Sequence, residues 1–83
     1  MKITVRYFAS IREAIGQGSE AVETAATTLG ALRDELIARG GAHASSLARG
    51  RAVRMALNQT LSDESATLVD GAEVAFFPPV TGG

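Results

Sequence analysis

Cysteine is missing altogether from this 83-residue chain. Its absence excludes disulfides, thiolate metal sites and cysteine nucleophiles, and it fits a cytoplasmic location. Positive charge is not in excess either: eight Lys and Arg against nine Asp and Glu leave a net charge of −1. That balance argues against broad nucleic-acid binding, which needs a basic surface, while leaving room for a local basic patch on a docking face. No apolar run is long enough to span a bilayer. Met1-Lys2-Ile3-Thr4-Val5 enters a strand pattern directly, so no signal peptide is expected.

Side chains that carry chemistry are equally scarce. His43 is the single histidine and stands among small residues with no carboxylate near it in sequence, so a solvent-exposed side chain is expected rather than a ligand or base. Gly16-Gln17-Gly18 and Gly40-Gly41 do not open a helix as a phosphate-binding loop must. Arg49, Arg51 and Arg54 cluster; docking to an acidic partner is one reading, and a solvated face is the expected one. No catalytic triad, carboxylate pair or metal constellation can be assembled. A domain of this size buries only about 60–65% of its unfolded surface, which leaves little room for an enclosed active site.

What is present is a hydrophobic fraction of 46%, a globular value, arranged with clear periods. Residues 2–8 alternate, with Ile3, Val5 and Tyr7 on one face and Lys2, Thr4, Arg6 and Phe8 on the other. Ala9 to Ile15 reads as a short helix capped by Ser10 and stopped by Gly16. Residues 19–24 form a weak strand near an edge. The clearest helix runs from Leu29 to Arg39, with Thr28 as N-cap and Leu29, Leu32, Leu36 and Ile37 as its apolar stripe. Arg33, Asp34 and Glu35 lie mostly off that stripe, and Gly40-Gly41 ends the helix. Residues 40–51 read as a loop with a helical turn near Ala44–Ala48. Residues 52–57 alternate, putting Val53, Met55 and Leu57 on one face, and Asn58-Gln59 follows as a turn. Leu61 leads into a polar loop, Ser62 to Ala66, and Asp70-Gly71 is a strong turn. The last strand runs from Ala72 to Phe77, with Val74 and Phe76 opposite in facing to Glu73, Ala75 and Phe77, and Pro78-Pro79 stops it.

One amphipathic helix needs a sheet to cover it. The order strand, turn, strand, helix, loop, strand, turn, strand predicts an α+β, β-grasp (ubiquitin-like) domain over residues 1–77: a mixed sheet covered by one main helix. Strand parity puts Phe8 and Phe77 away from the core. If the first and last strands are neighbours, the two rings meet on the exposed sheet face, with Leu61 beside them, and an exposed apolar cluster of this kind marks a partner site.

Residues 78–83 form an extended tail, Pro78-Pro79-Val80-Thr81-Gly82-Gly83. Prolines favour an extended path, six residues reach roughly 20 Å at about 3.3 Å each, and two glycines make a chain end thin enough for a narrow channel. A terminal carboxylate, with a pKa of about 3.5, is a poor electrophile until a leaving group such as AMP is attached. The acyl adenylate can then accept sulfur or an amine.

Two stretches carry a resemblance. The run Asp70-Gly71-Ala72-Glu73-Val74-Ala75-Phe76-Phe77-Pro78-Pro79-Val80-Thr81-Gly82-Gly83 and the opening Val5-Arg6-Tyr7-Phe8-Ala9-Ser10-Ile11-Arg12-Glu13 are similar to the MoaD/ThiS family of sulfur carriers, and within it to the small subunits of molybdopterin synthase. Thr28-Leu29-Gly30-Ala31-Leu32-Arg33 and Leu57-Asn58-Gln59 match the same pattern. The resemblance implies a β-grasp sulfur carrier with no permanently bound cofactor. An E1-like adenylating partner (MoeB) would use ATP to activate Gly83, and a sulfur donor would convert it to a thiocarboxylate. The tail would then enter the large synthase subunit (MoaE), in a heterotetramer, and give its sulfur to cyclic pyranopterin monophosphate in molybdenum cofactor biosynthesis. On this resemblance Gly83 bears the activated carbonyl, Gly82 permits passage, and Pro78, Pro79, Val80 and Thr81 form the threaded segment. Phe8, Leu61 and Phe77 match partner-contact positions. The catalytic side chains would lie on the large subunit. A thiamine-type sulfur carrier and a ubiquitin-like protein modifier are the competing readings.

Overall fold

The structure, a computed structural model, describes residues 1–79. Alternation fixes the first strand: β1 (Lys2–Tyr7) buries Ile3, Val5 and Tyr7 and turns Lys2, Thr4 and Arg6 outward. After a short helix α1 (Ala9–Ile15), strand β2 (Ser19–Glu23) returns antiparallel to β1, with Val22 opposite Ile3 and Glu20 opposite Val5. The expected Ser10 cap does not form. The carbonyl of Phe8 accepts from the N–H groups of both Ile11 and Arg12, so the helix begins before Ser10, with Phe8 as an N-cap that makes no side-chain bond. Gly16 closes α1 at φ 88°, a conformation glycine adopts without steric cost, and its N–H donates to the Arg12 carbonyl.

Helix α2 (Leu29–Ala38) starts where the Thr28 hydroxyl accepts from Ala31 N–H at 3.2 Å. Its stripe of Leu29, Leu32 and Leu36 is fully buried against the inward residues of the sheet. The segment after it corrects the sequence reading: residues Gly41–Leu47 form a seven-residue helix, α3, in place of a loop with one turn. Small residues give no apolar stripe to detect, yet Leu47 plugs into the core with no exposed surface. Arg33 is the second correction. It is 4% exposed, pointing inward from α2. The reason is the open end of α3: Arg33 donates to the carbonyls of Leu47 at 2.7 Å, Ala48 at 2.8 Å and Arg51 at 3.3 Å. Burial and the neighbouring Arg49 charge push its pKa down.

Strands β3 (Arg54–Leu57) and β4 (Thr60–Ser62) form a tight hairpin. Asn58 and Gln59 carry φ of 49° and 69°, the pair of positive angles that a two-residue hairpin turn requires. β4 is an element the sequence pattern does not single out, since it contributes one apolar residue, Leu61. Strand β5 (Glu73–Phe77) then enters the middle, parallel to β1 and antiparallel to β3. The five-stranded order β2-β1-β5-β3-β4 is mixed, with the helices packed on its inward face around Val5, Tyr7, Val74 and Phe76. This is the β-grasp arrangement.

A polar cluster ties β2 to the helices. Glu20 accepts from the Tyr7 hydroxyl at 2.6 Å and from Arg39 at 2.7 Å, and its carboxylate lies 2.9 Å from His43 Nε2. His43 is therefore half-buried rather than solvent-exposed, with its ring edge-on to Tyr7 at 5.9 Å. The formation of α3 is what carries it there. Burial alone would raise the Glu20 pKa, but hydrogen bonds from Tyr7, His43 and Arg39, with the Arg39 charge, outweigh it and lower the value from 4.5 to about 2. Burial and the bond to Glu20 push the Tyr7 phenol up.

Two outcomes follow for stability. Removing the Arg33 guanidinium as Arg33→Met takes its donors from the Leu47 and Arg51 carbonyls, while Ala48 keeps the Arg51 N–H, and chemical denaturation should show a loss of about 2–4 kcal/mol. The folded-state pKa of Glu20 lies below its unfolded value, so its contribution is complete above pH 4.5 and disappears as pH falls toward about 2. Urea midpoints across that window should decline less steeply in Glu20→Gln than in the unsubstituted protein.

Candidate functional site

The helices cover one face of the sheet, so the outward residues of its strands decide what the other face offers. Register places Arg6 opposite Ala75, Ala75 opposite Ala56 and Ala56 opposite Leu61, a single row crossing four strands. In the next row, Phe77 lies opposite Arg54. Phe8 extends this row past the end of β1, its N–H donating to the Phe76 carbonyl at 3.2 Å. The three apolar residues expected on this face, Phe8, Leu61 and Phe77, are thus brought to one end of it. Phe8 is 39% exposed and Leu61 64%, while Phe77 is half-buried. Ala56 and Ala75 form a low floor between them, each only 9% exposed.

Local backbone shapes the rim of this patch. Ala9 takes φ 52°, a left-handed conformation that costs a non-glycine residue about 1–2 kcal/mol. It turns the chain from β1 into α1 directly after Phe8 and leaves that ring at the edge of the face. The Phe8 ring is covered by the Arg6 guanidinium, 5.3 Å from its centroid, within cation–π range. Arg6 also approaches Glu73 to 3.9 Å.

Pro78 and Pro79 follow Phe77 and are half-buried, with Pro78 lining a shallow groove together with Ile11, Ser45, Arg51 and Val53. The positions Val80, Thr81, Gly82 and Gly83 lie outside the described residues. The arginine cluster separates by role. Arg49 is pinned, donating to Asp34, to Glu64 and to the Gly30 carbonyl, whereas Arg54 faces outward beside Phe77 and is exposed. Sequence reasoning did not single out Ala56, Ala75 or Arg6, and it noted Arg54 only as part of the arginine cluster. The signal was available in the parity of their strands, once the order of the strands was known.

Among the described residues, no group of three His, Cys, Asp or Glu side chains is placed to hold a metal ion, and no helix is long and apolar enough to cross a membrane. What the face can do is bind: it presents an uncovered apolar patch where β5 runs into its proline pair.

Comparison with known proteins agrees with this geometry. A model of the ThiS family matches residues 5–83. The molybdopterin synthase sulfur carrier subunit of Escherichia coli (strain K12) is 43% identical over 81 residues, spanning 98% of this chain and 99% of the relative. A chain in the solved complex of subunits 1 and 2 of molybdopterin-converting factor from Helicobacter pylori 26695 is 28% identical, with a TM-score of 0.70 over 100% of both chains. SAMP1 from Haloferax volcanii gives a TM-score of 0.78 over 100% of both chains at 24% identity, a likeness of fold alone. The chain belongs to the ThiS family, and its full-length relatives there are molybdopterin synthase sulfur carrier subunits.

Proposed function

We propose that this chain is the sulfur-carrying subunit of a molybdopterin synthase, working in the cytoplasm. The observation that carries the reading is the apolar patch of Phe8, Phe77 and Leu61 on the helix-free face, at the end of the strand that leads into the tail. A partner seated there is positioned to receive residues 78–83. The family match through residue 83 and the near-complete overlap with the Escherichia coli subunit support assigning the chemistry to Gly83.

In this reading the Gly83 carboxylate attacks the α-phosphorus of ATP on an adenylating partner of the MoeB type, pyrophosphate leaves, and an acyl adenylate forms. Sulfur from a donor displaces AMP and leaves a thiocarboxylate. The charged tail, with Pro78, Pro79, Val80 and Thr81 threaded and Gly82 passing the constriction, delivers sulfur to cyclic pyranopterin monophosphate inside the large subunit. Water then cleaves the acyl–sulfur bond, and Gly83 returns to a carboxylate. Support for the large subunit as partner comes from the Helicobacter pylori complex of subunits 1 and 2. The reading extends to a heterotetramer of two small and two large subunits. One apolar face serving both partners makes their binding mutually exclusive, so the carrier shuttles between them.

Intact mass spectrometry of the protein recovered from its host should show a species in which one oxygen is replaced by sulfur, localised to Gly83 in the C-terminal peptide. Lysine conjugates without a thiocarboxylate would point to a protein modifier instead, and molybdopterin production that survives deletion of Gly83 would sink the proposal. The exposed Leu61 should matter for docking and not for folding. Leu61→Ser should change stability by less than about 0.5 kcal/mol and weaken binding to the large subunit by about 1–2 kcal/mol in calorimetric titration.

A further inference from the structure

The apolar patch is flanked by two guanidinium groups. Arg6 stands on β1 and Arg54 on β3, with β5 between them carrying Ala75 and Phe77. Two strand spacings of about 4.8 Å separate the strands that bear them, and Arg54, level with Phe77, stands about 7 Å further along the sheet than Arg6, level with Ala75, so their backbone positions are roughly 12 Å apart on a diagonal. Both side chains are exposed on the outward face, Arg6 by 45%.

The remaining charges on or beside this face are already engaged or distant. Lys2 lies opposite Glu23 at the far end of β1. Glu73 is the carboxylate that Arg6 approaches, at 3.9 Å. Arg54 forms no ion pair among the described residues, although it shares a groove with Asp63 and Glu64. Asp63 accepts from the Ser65 N–H and hydroxyl, and Glu64 pairs with Arg33 and Arg49. Arg54 is thus left without a carboxylate at ion-pair distance among the described residues, although Asp63 keeps its charge in the same groove. The Arg6 guanidinium is held over the Phe8 ring, which orders it without neutralising it.

A purely apolar partner surface laid over Phe8, Phe77 and Leu61 would strip water from both cations, leaving Arg54 with no ion pair among the described residues and Arg6 with only its 3.9 Å contact to Glu73, at a cost of several kcal/mol for a buried charge without a close partner. We propose that Arg6 and Arg54 select the partner at this face: a large subunit whose docking strip has an apolar centre flanked by carboxylates, one opposite each arginine. This rests on the sulfur-carrier reading and adds to it the chemistry of the partner's contact strip. The arginines then act in two ways. They speed encounter with an acidic strip, and they reject surfaces that match the apolar centre but lack the flanking acids.

The test is association kinetics of the full chain with the large subunit from the same organism, across a series of salt concentrations. Arg6→Gln/Arg54→Gln should lower kon about tenfold at low salt and flatten its dependence on ionic strength, with koff changed less than about threefold. Arg6→Lys/Arg54→Lys should retain the salt dependence, and circular dichroism should show every variant folded. A Gln variant whose kon and salt dependence equal those of the unsubstituted chain overturns the inference. The parallel variant Leu61→Ser separates the two ideas: weakened binding there, beside unaltered kinetics in the Gln variant, removes the arginine proposal alone. Failure of the unsubstituted chain to bind the large subunit removes the reading beneath it and this proposal with it.

Discussion

Strand β5 is hydrogen-bonded along both edges, parallel to β1 and antiparallel to β3, and the two faces of the molecule both hang on that placement. Its inward residues, Val74 and Phe76, are fully buried beneath the helices, with the Phe76 ring stacked on Tyr7 at 6.3 Å. Its outward residues, Ala75 and Phe77, set the middle of the docking patch. Because side chains alternate with period 2, a slip of one residue would exchange these sets. The buried pair is therefore what fixes the exposed pair. Asn58 reinforces the register from the hairpin turn: its N–H donates to the Glu73 carbonyl and its side-chain Oδ1 accepts from the Glu73 N–H.

The opposite side is consolidated by charge as much as by apolar contact. Arg33 closes the carbonyl end of α3, and Glu20 gathers Tyr7, Arg39 and His43 from three parts of the chain. No buried side-chain nitrogen or oxygen among the described residues lacks a partner. Such satisfaction makes these groups structural: every donor and acceptor is used to hold elements together. The chemistry in the proposed function accordingly falls to the chain end and the recognition to the bare sheet face.

The legible parts of the sequence were those governed by local period. Alternation in residues 2–8 and 72–77 gave both faces of the central strands, including the outward facing of Phe8 and Phe77, and the leucine stripe gave α2. What stayed hidden depends on partners far along the chain. Arg33 looks like a surface residue of its helix until the open carbonyls at Leu47, Ala48 and Arg51 arrive beside it. His43 looks solvated until α3 carries it to Glu20. Helix α3 is built from small residues that give no stripe, and β4 is three residues long with one apolar side chain. Ser10 failed as a cap because the Phe8 carbonyl had already begun the helix.

The two alanines at the centre of the docking face have a geometric consequence. Ala56 and Ala75 face each other across β3 and β5 and rise no higher than their Cβ atoms. Beside the taller Phe77 and Leu61 they keep the centre of the outward face low, with 9% of each alanine exposed. Depth here is set by two methyl groups. A valine or leucine at either position would raise the outward face from beneath. Residue size at these positions thus sets the height of the outward face beside Phe77.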